Sequence, residues 1–122
     1  VNPDLVILEL GANDGLRGFD PNVTKNNLAT IIRRIRAKGA LVLLAGMRAP
    51  PNLGVDYGVA FDGIFPDLAT IHQLDFYPFF LDGVASRSEL NLADGIHPNK
   101  LGIKVIVEGI LPTVKRSLEK IR

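Results

Sequence analysis

The chain has no cysteine and no tryptophan, and only one methionine and two histidines in 122 residues. Without cysteine it can form no disulfide and no thiolate metal site, and it suits the cytoplasm or an oxidising compartment equally. With two histidines, any metal would need carboxylates for most of its ligands, so no metal is expected. Neither sign of charge dominates. Fourteen basic and thirteen acidic residues leave a net charge of +1, too weak a field to gather nucleic acid or an anionic membrane. The basic run "IIRRIRAKG" follows a helical pattern and reads as a solvated face. No apolar run is long enough to span a membrane, and no signal peptide is visible. Internal repeats, low-complexity segments and domain linkers are also missing. The remaining composition, 47% hydrophobic and 22% charged, is that of one small globular domain. A chain of this size can bury about two-thirds of its unfolded surface.

Strand and helix patterns alternate. "DLVILEL" (4–10) is a nearly continuous apolar run, as in a strand buried on both faces and placed centrally in a sheet. A polar loop, "GANDGLRGFD" (11–20), follows. Asp20 can cap a helix that has Pro21 at its first position, Leu28, Ile31, Ile32 and Ile35 at helical spacing, and Gly39 at its end. "ALVLLAG" (40–46) is a second buried strand, and "MRAPPNLGVDYG" (47–58) is a loop without a period. Phe61, Ile64, Phe65 and Leu68 mark helical segments broken at Pro66. "FYPFFL" (76–81) suits a third strand whose Pro78 lies at an edge or end. After the loop 82–96, a helix runs from Pro98 almost to Arg122, with Ile103, Val107 and Ile110 on one face and a bend at Pro112. The β-α-β-α-β-α order implies an α/β fold: a parallel sheet with right-handed crossovers and helices on both faces.

In such sheets, functional groups collect beyond the carboxyl ends of the strands. Asn13 and Asp14 follow the first strand, and Asp94 and His97 precede the last helix. Histidine acts as a base near neutral pH. It does so best when a carboxylate holds Nδ1–H, which fixes the tautomer and stabilises the imidazolium. Two intervening residues, one of them Gly95, let Asp94 and His97 meet across a tight turn. A carboxamide such as that of Asn13, aimed at a developing oxyanion, contributes roughly 3–4 kcal/mol to the transition state. Each piece also has a plain reading. Asp94 could cap the helix near Pro98, with His97 a polar loop residue, and Asn13–Asp14–Gly15 is an ordinary turn signal. His72 reads as a surface residue. Gly11, Gly15 and Gly18 lack the dinucleotide-binding spacing.

The pair "LELGANDGLRG" and "DGIHPN", in this order, resembles the SGNH (GDSL-type) hydrolases. "MRAPPNLGVDYGVAFDGIFPDLA" and "YPFFLDGV" look like the arylesterase, acyl-CoA thioesterase and lysophospholipase branch. The resemblance covers essentially the whole chain. It implies a flavodoxin-like three-layer α/β/α sandwich, three of whose strands lie in this chain. It implies that Gly11, Asn13 and Asp14 form the oxyanion-hole block, with Asn13 the donor, and that Asp94 and His97 are the triad's acid and base. It also implies that Gly15, Leu16, Arg17, Gly18 and Phe19 form a mobile substrate-contacting loop. No cofactor is implied. The implied substrate is an acyl or aryl ester or thioester; the sequence leaves the compartment unknown, and the resemblance fits a periplasmic or secreted one.

One part of that family's machinery is missing. The nucleophilic serine and a second oxyanion glycine come from blocks ahead of a strand like "DLVILEL". Only three residues precede it here, and no Gly-Asp-Ser occurs. Ser86, Ser88 and Ser117 do not sit between a buried strand and a helix, the turn that exposes a nucleophile. Residues 1–122 are therefore expected to be the C-terminal portion of a single hydrolase domain, whose serine lies on an N-terminal companion segment of roughly two strand–helix units. On this reading the chain alone is inactive. A second class remains open, a catalytically silent α/β domain acting as a structural or binding partner; a flavodoxin-like ligand-binding domain is disfavoured, because no phosphate-cradling loop is evident.

Overall fold

The computed structural model describes residues 1–121. Its elements are β1 (Leu5–Leu8), α1 (Ala12–Leu16), α2 (Pro21–Ala37), β2 (Leu41–Ala45), α3 (Val55–Asp62), α4 (Ile64–His72), β3 (Asp75–Tyr77) and α5 (Lys100–Leu118), with short 3-10 turns at Pro51–Leu53 and Ser88–Leu90. The strands form one parallel sheet in the order β1-β2-β3. Every crossover thus contains a helix, as the alternating pattern predicts.

The pleat of β2 sorts the two faces. Val42 and Leu44 point into a cluster with Leu8 of β1 and with Leu28, Ile32, Phe61, Phe65 and Leu68, contributed by α2, α3 and α4. Leu43 and Ala45, fully buried, point the other way, where α5 packs over β2 and β3 with Ile106 and Ile110. This produces the three layers of an α/β/α arrangement. α5 runs antiparallel to β3. At its C-terminal end, the buried Ser117 hydroxyl donates to Asp75 at the start of β3 at 2.7 Å, and Lys120 pairs with the other carboxylate oxygen. The N-terminal end of α5 therefore lies at the carboxyl edge of the sheet.

Several boundaries depart from the sequence pattern, each for a local reason. The segment 11–20 is not all loop: α1 forms after Gly11, whose φ of 107° only glycine adopts easily. The loop 47–58 ends early, because Gly54 opens α3 at Val55. The helix break lies at Gly63, not Pro66. Pro66 falls in the first turn of α4, where its missing N–H costs nothing. β3 is only Asp75–Tyr77 and stops at Pro78. α5 starts at Lys100, capped by the Asn99 side chain, which accepts from the Gly102 amide at 2.9 Å, and it runs through Pro112 without a break in its helical assignment. Its buried positions include Ile106 and Ile110, whereas Ile103 and Val107 are exposed. β1 is shorter than expected and lies at an edge of the described sheet, not its centre. Ile7 shares a face with Leu43 yet stays 46% exposed.

Candidate active site

Asn13 sits in the first turn of α1, directly beyond the carboxyl end of β1, and its side chain is solvent-exposed. The residues around it are tightly held. Gly11 rests on the ring of Phe65, and a Cβ there would come within 3.3 Å of its Cζ. Gly15 is buried on Phe61, and a Cβ there would lie 2.7 Å from that ring's Cζ. Asp14 accepts from the Thr24 hydroxyl at 2.8 Å, which ties α1 to α2. Asp14 therefore braces the segment and Gly15 is covered, while Leu16, Arg17, Gly18 and Phe19 are exposed. Leu16 and Phe19 leave apolar side chains nearly half exposed. A cleft of about 360 Å³ opens at this point and is lined by Glu9, Gly11, Asn13, Asp14, Asn27 and neighbours, without Asp94 or His97. Partial burial raises the Glu9 carboxyl above its ordinary range.

The second cluster is built by a compact turn. Asp94 Oδ1 accepts from the backbone amides of Ile96 and His97 at 2.9 and 3.0 Å, and Oδ2 lies 2.6 Å from His97 Nδ1. Gly95 makes the turn with φ of 71°. Asp94 does not cap α5, since Asn99 does. The turn is anchored at both ends: the Leu92 amide donates to the His97 carbonyl at 2.7 Å, and the Asn99 amide to that of Leu90 at 2.9 Å. The His97 backbone amide, the His97 side chain and the Ile96 amide together hold the Asp94 carboxyl down at about 2. Asp94 is thus a fixed anion across any working pH, and Nδ1 is the ring nitrogen that faces it. Nε2 is left free to point elsewhere, and the His97 side chain is 72% exposed.

Asn13 and the Asp94–His97 pair therefore share the carboxyl edge of the sheet, Asn13 after β1 and His97 ahead of α5. Among the described residues no serine hydroxyl is bonded to His97. Ser117 is committed to Asp75 at the far end of α5, and Ser86 and Ser88 are exposed in the preceding loop. Nor do the described residues include a cluster of His, Asp and Glu able to hold a metal ion. Among the described residues no helix is long and apolar enough to cross a membrane. The supports of Asn13 escaped the sequence reading. Tyr57, Phe61 and Phe65 recur at every fourth residue, a spacing visible in the sequence, but Tyr57 falls in the stretch without a period.

A model of the GDSL-like lipase/acylhydrolase family matches residues 1–105. The chain is 48% identical over 96 residues to an arylesterase of Vibrio mimicus, covering 79% of this chain and 48% of that protein. It is 42% identical over 113 residues to esterase TesA of Pseudomonas aeruginosa, covering 93% of this chain and 56% of the relative. The crystal structure of TesA superposes with a TM-score of 0.89 at 41% identity, over 95% of this chain and 64% of that one. The chain spans about half the length of the relatives it matches. Sequence pattern, layered fold and these likenesses converge: the chain belongs to the GDSL-like lipase/acylhydrolase family.

Proposed function

We propose that residues 1–122 are the C-terminal part of a serine-dependent ester or thioester hydrolase, and that they contribute its base, its acid and one oxyanion donor. The observation that carries this reading is the Asp94–His97 pair: a carboxylate 2.6 Å from Nδ1, fixed by two backbone amides, on the functional edge of a parallel sheet. In the reaction, Nε2 of His97 takes the proton of a serine hydroxyl as its oxygen attacks the acyl carbon. The same proton then passes to the departing alcohol or thiol. The resulting acyl-serine is cleaved by water through the same two proton transfers. Asp94 holds the ring and stabilises the imidazolium. The Asn13 carboxamide donates to the oxyanion, and Leu16 and Phe19 meet the acyl or aryl group.

The nucleophile comes from a segment outside residues 1–122. Two surfaces support this reading. The outer edge of β1 pairs with no strand among the described residues, and such an edge readily accepts another. Ile7 on β1, and Ile103, Val107 and Leu111 on α5, are 42–55% exposed, apolar area suited to burial. The test compares two samples. Residues 1–122 alone should self-associate on sedimentation and leave p-nitrophenyl esters intact. The complete protein should be compact and active, and His97→Ala should abolish turnover. A monodisperse 1–122 chain that hydrolyses the ester, and stops on Ser86→Ala or Ser88→Ala, would place the nucleophile within this chain.

A further inference from the structure

α3 carries a contact that the triad chemistry does not use. The Tyr57 hydroxyl donates to the carbonyl of Phe19 at 2.7 Å and lies 3.4 Å from the carbonyl of Asp14. These carbonyls bracket the stretch from Leu16 to Phe19. The Tyr57 ring stacks on Phe61, with centroids 6.0 Å apart and planes at 14°, and Phe61 meets Phe65 edge-on at 5.7 Å. Three aromatics at four-residue spacing therefore run beneath residues 11–19. Phe65 seats Gly11, Phe61 seats Gly15, and Tyr57 fastens the far end. The first two seats, with the Thr24–Asp14 bond, fix Asn13 independently of Tyr57. What depends on Tyr57 is the exposed remainder, where φ at Gly18 is 67° and the apolar side chains of Leu16 and Phe19 stand open.

We propose that Tyr57 is a positioning residue for acyl-group selectivity: its hydroxyl holds Leu16–Phe19 in the conformation that meets the acyl chain. The inference rests on the hydrolase reading above. Tyr57→Phe keeps the ring stack and deletes only the bond to the Phe19 carbonyl. A single hydrogen bond shifts a local equilibrium by roughly 2–10-fold. In the complete protein, KM for p-nitrophenyl octanoate should rise by roughly that factor, with a smaller change in kcat, while KM for the acetate moves less. Amide hydrogen exchange at Gly18 and Phe19 should quicken in the same variant. A role confined to stability would lower the melting temperature and leave the octanoate-to-acetate ratio alone. An unchanged ratio, or an equal fall in kcat for both esters, overturns the inference. His97→Ala is assayed in parallel. If it retains turnover, the hydrolase reading itself fails. If it is inactive and Tyr57→Phe keeps the wild-type ratio, only the role of Tyr57 is lost.

Discussion

Gly102 offers a sharp test of how the His97 turn is held in place. It lies in the first turn of α5, with its amide bonded to the Asn99 cap. A Cβ at this position would sit 2.1 Å from the Leu90 carbonyl oxygen and 3.1 Å from Pro98 Cβ. Ordinary contact begins at 3.4 Å, so the Leu90 backbone must retreat by 3.4 − 2.1, or about 1.3 Å. That backbone is one end of the ladder holding the turn, through the Asn99–Leu90 and Leu92–His97 bonds and the Asn91–Pro98 bridge. A displacement of about 1 Å at a catalytic group costs roughly 100-fold in rate. Overpacking costs roughly 1–3 kcal/mol, while replacing glycine by alanine within a helix returns up to about 1 kcal/mol. Gly102→Ala should therefore lose modest stability, roughly 0–2 kcal/mol, and far more activity, about 100-fold in kcat/KM. Urea unfolding and p-nitrophenyl ester hydrolysis by the complete protein read the two effects separately. A Gly102→Ala enzyme within twofold of wild-type kcat/KM would refute the link from Gly102 through Leu90 to His97.

Other consequences are as direct. Asn13→Ala should cost roughly 10²–10³ in kcat with an unchanged urea midpoint, because an oxyanion donor acts mainly in the transition state; a full-rate variant would remove Asn13 from that role. Asp94 has its folded pKa, about 2, below the unfolded 3.8, so its contribution to stability is complete above about 3.8 and is lost only as the pH falls through about 2. Asp94 stays charged throughout an assay, and base catalysis by an imidazole needs the neutral ring, so kcat/KM should fall on acidification; a rate flat from about pH 8 to 5, with chemistry limiting, contradicts base catalysis by His97. Burial pushes the Asp75 carboxyl up, but the hydrogen bonds from Lys120 and Ser117 outweigh it and leave the pKa lowered. Asp75→Ala would strand the fully buried Ser117 hydroxyl and should cost roughly 1–3 kcal/mol in urea unfolding, with little loss of that difference until the pH drops below the usual carboxylate range.

The sequence was most legible where periodicity and capping agreed. Asp20 caps α2, as its place before Pro21 foretold: its side chain accepts from the Asn22 amide at 2.9 Å. β2 emerged from its apolar run almost intact. Asp94 and His97 met as their spacing, with a glycine between them, permits across a tight turn. What was hidden depends on contacts distant in sequence. α1 is a single turn whose glycines are chosen by the rings of Phe61 and Phe65, some fifty residues on. The break at Gly63 outcompeted Pro66 because a proline in a first turn sacrifices no hydrogen bond. The outer face of α5 carries Ile103 and Val107, so apolar periodicity alone could not tell which stripe faces the sheet.

The central claim is that His97 activates a serine outside residues 1–122. A fluorophosphonate probe tests this directly, because it bonds covalently only to a serine that a base has activated. The complete protein is labelled, digested and mapped by mass spectrometry, with His97→Ala in parallel. One serine on a peptide preceding Val1 should carry the label, and the His97→Ala protein should carry none. A label on Ser86, Ser88 or Ser117, or one that persists without His97, would contradict it.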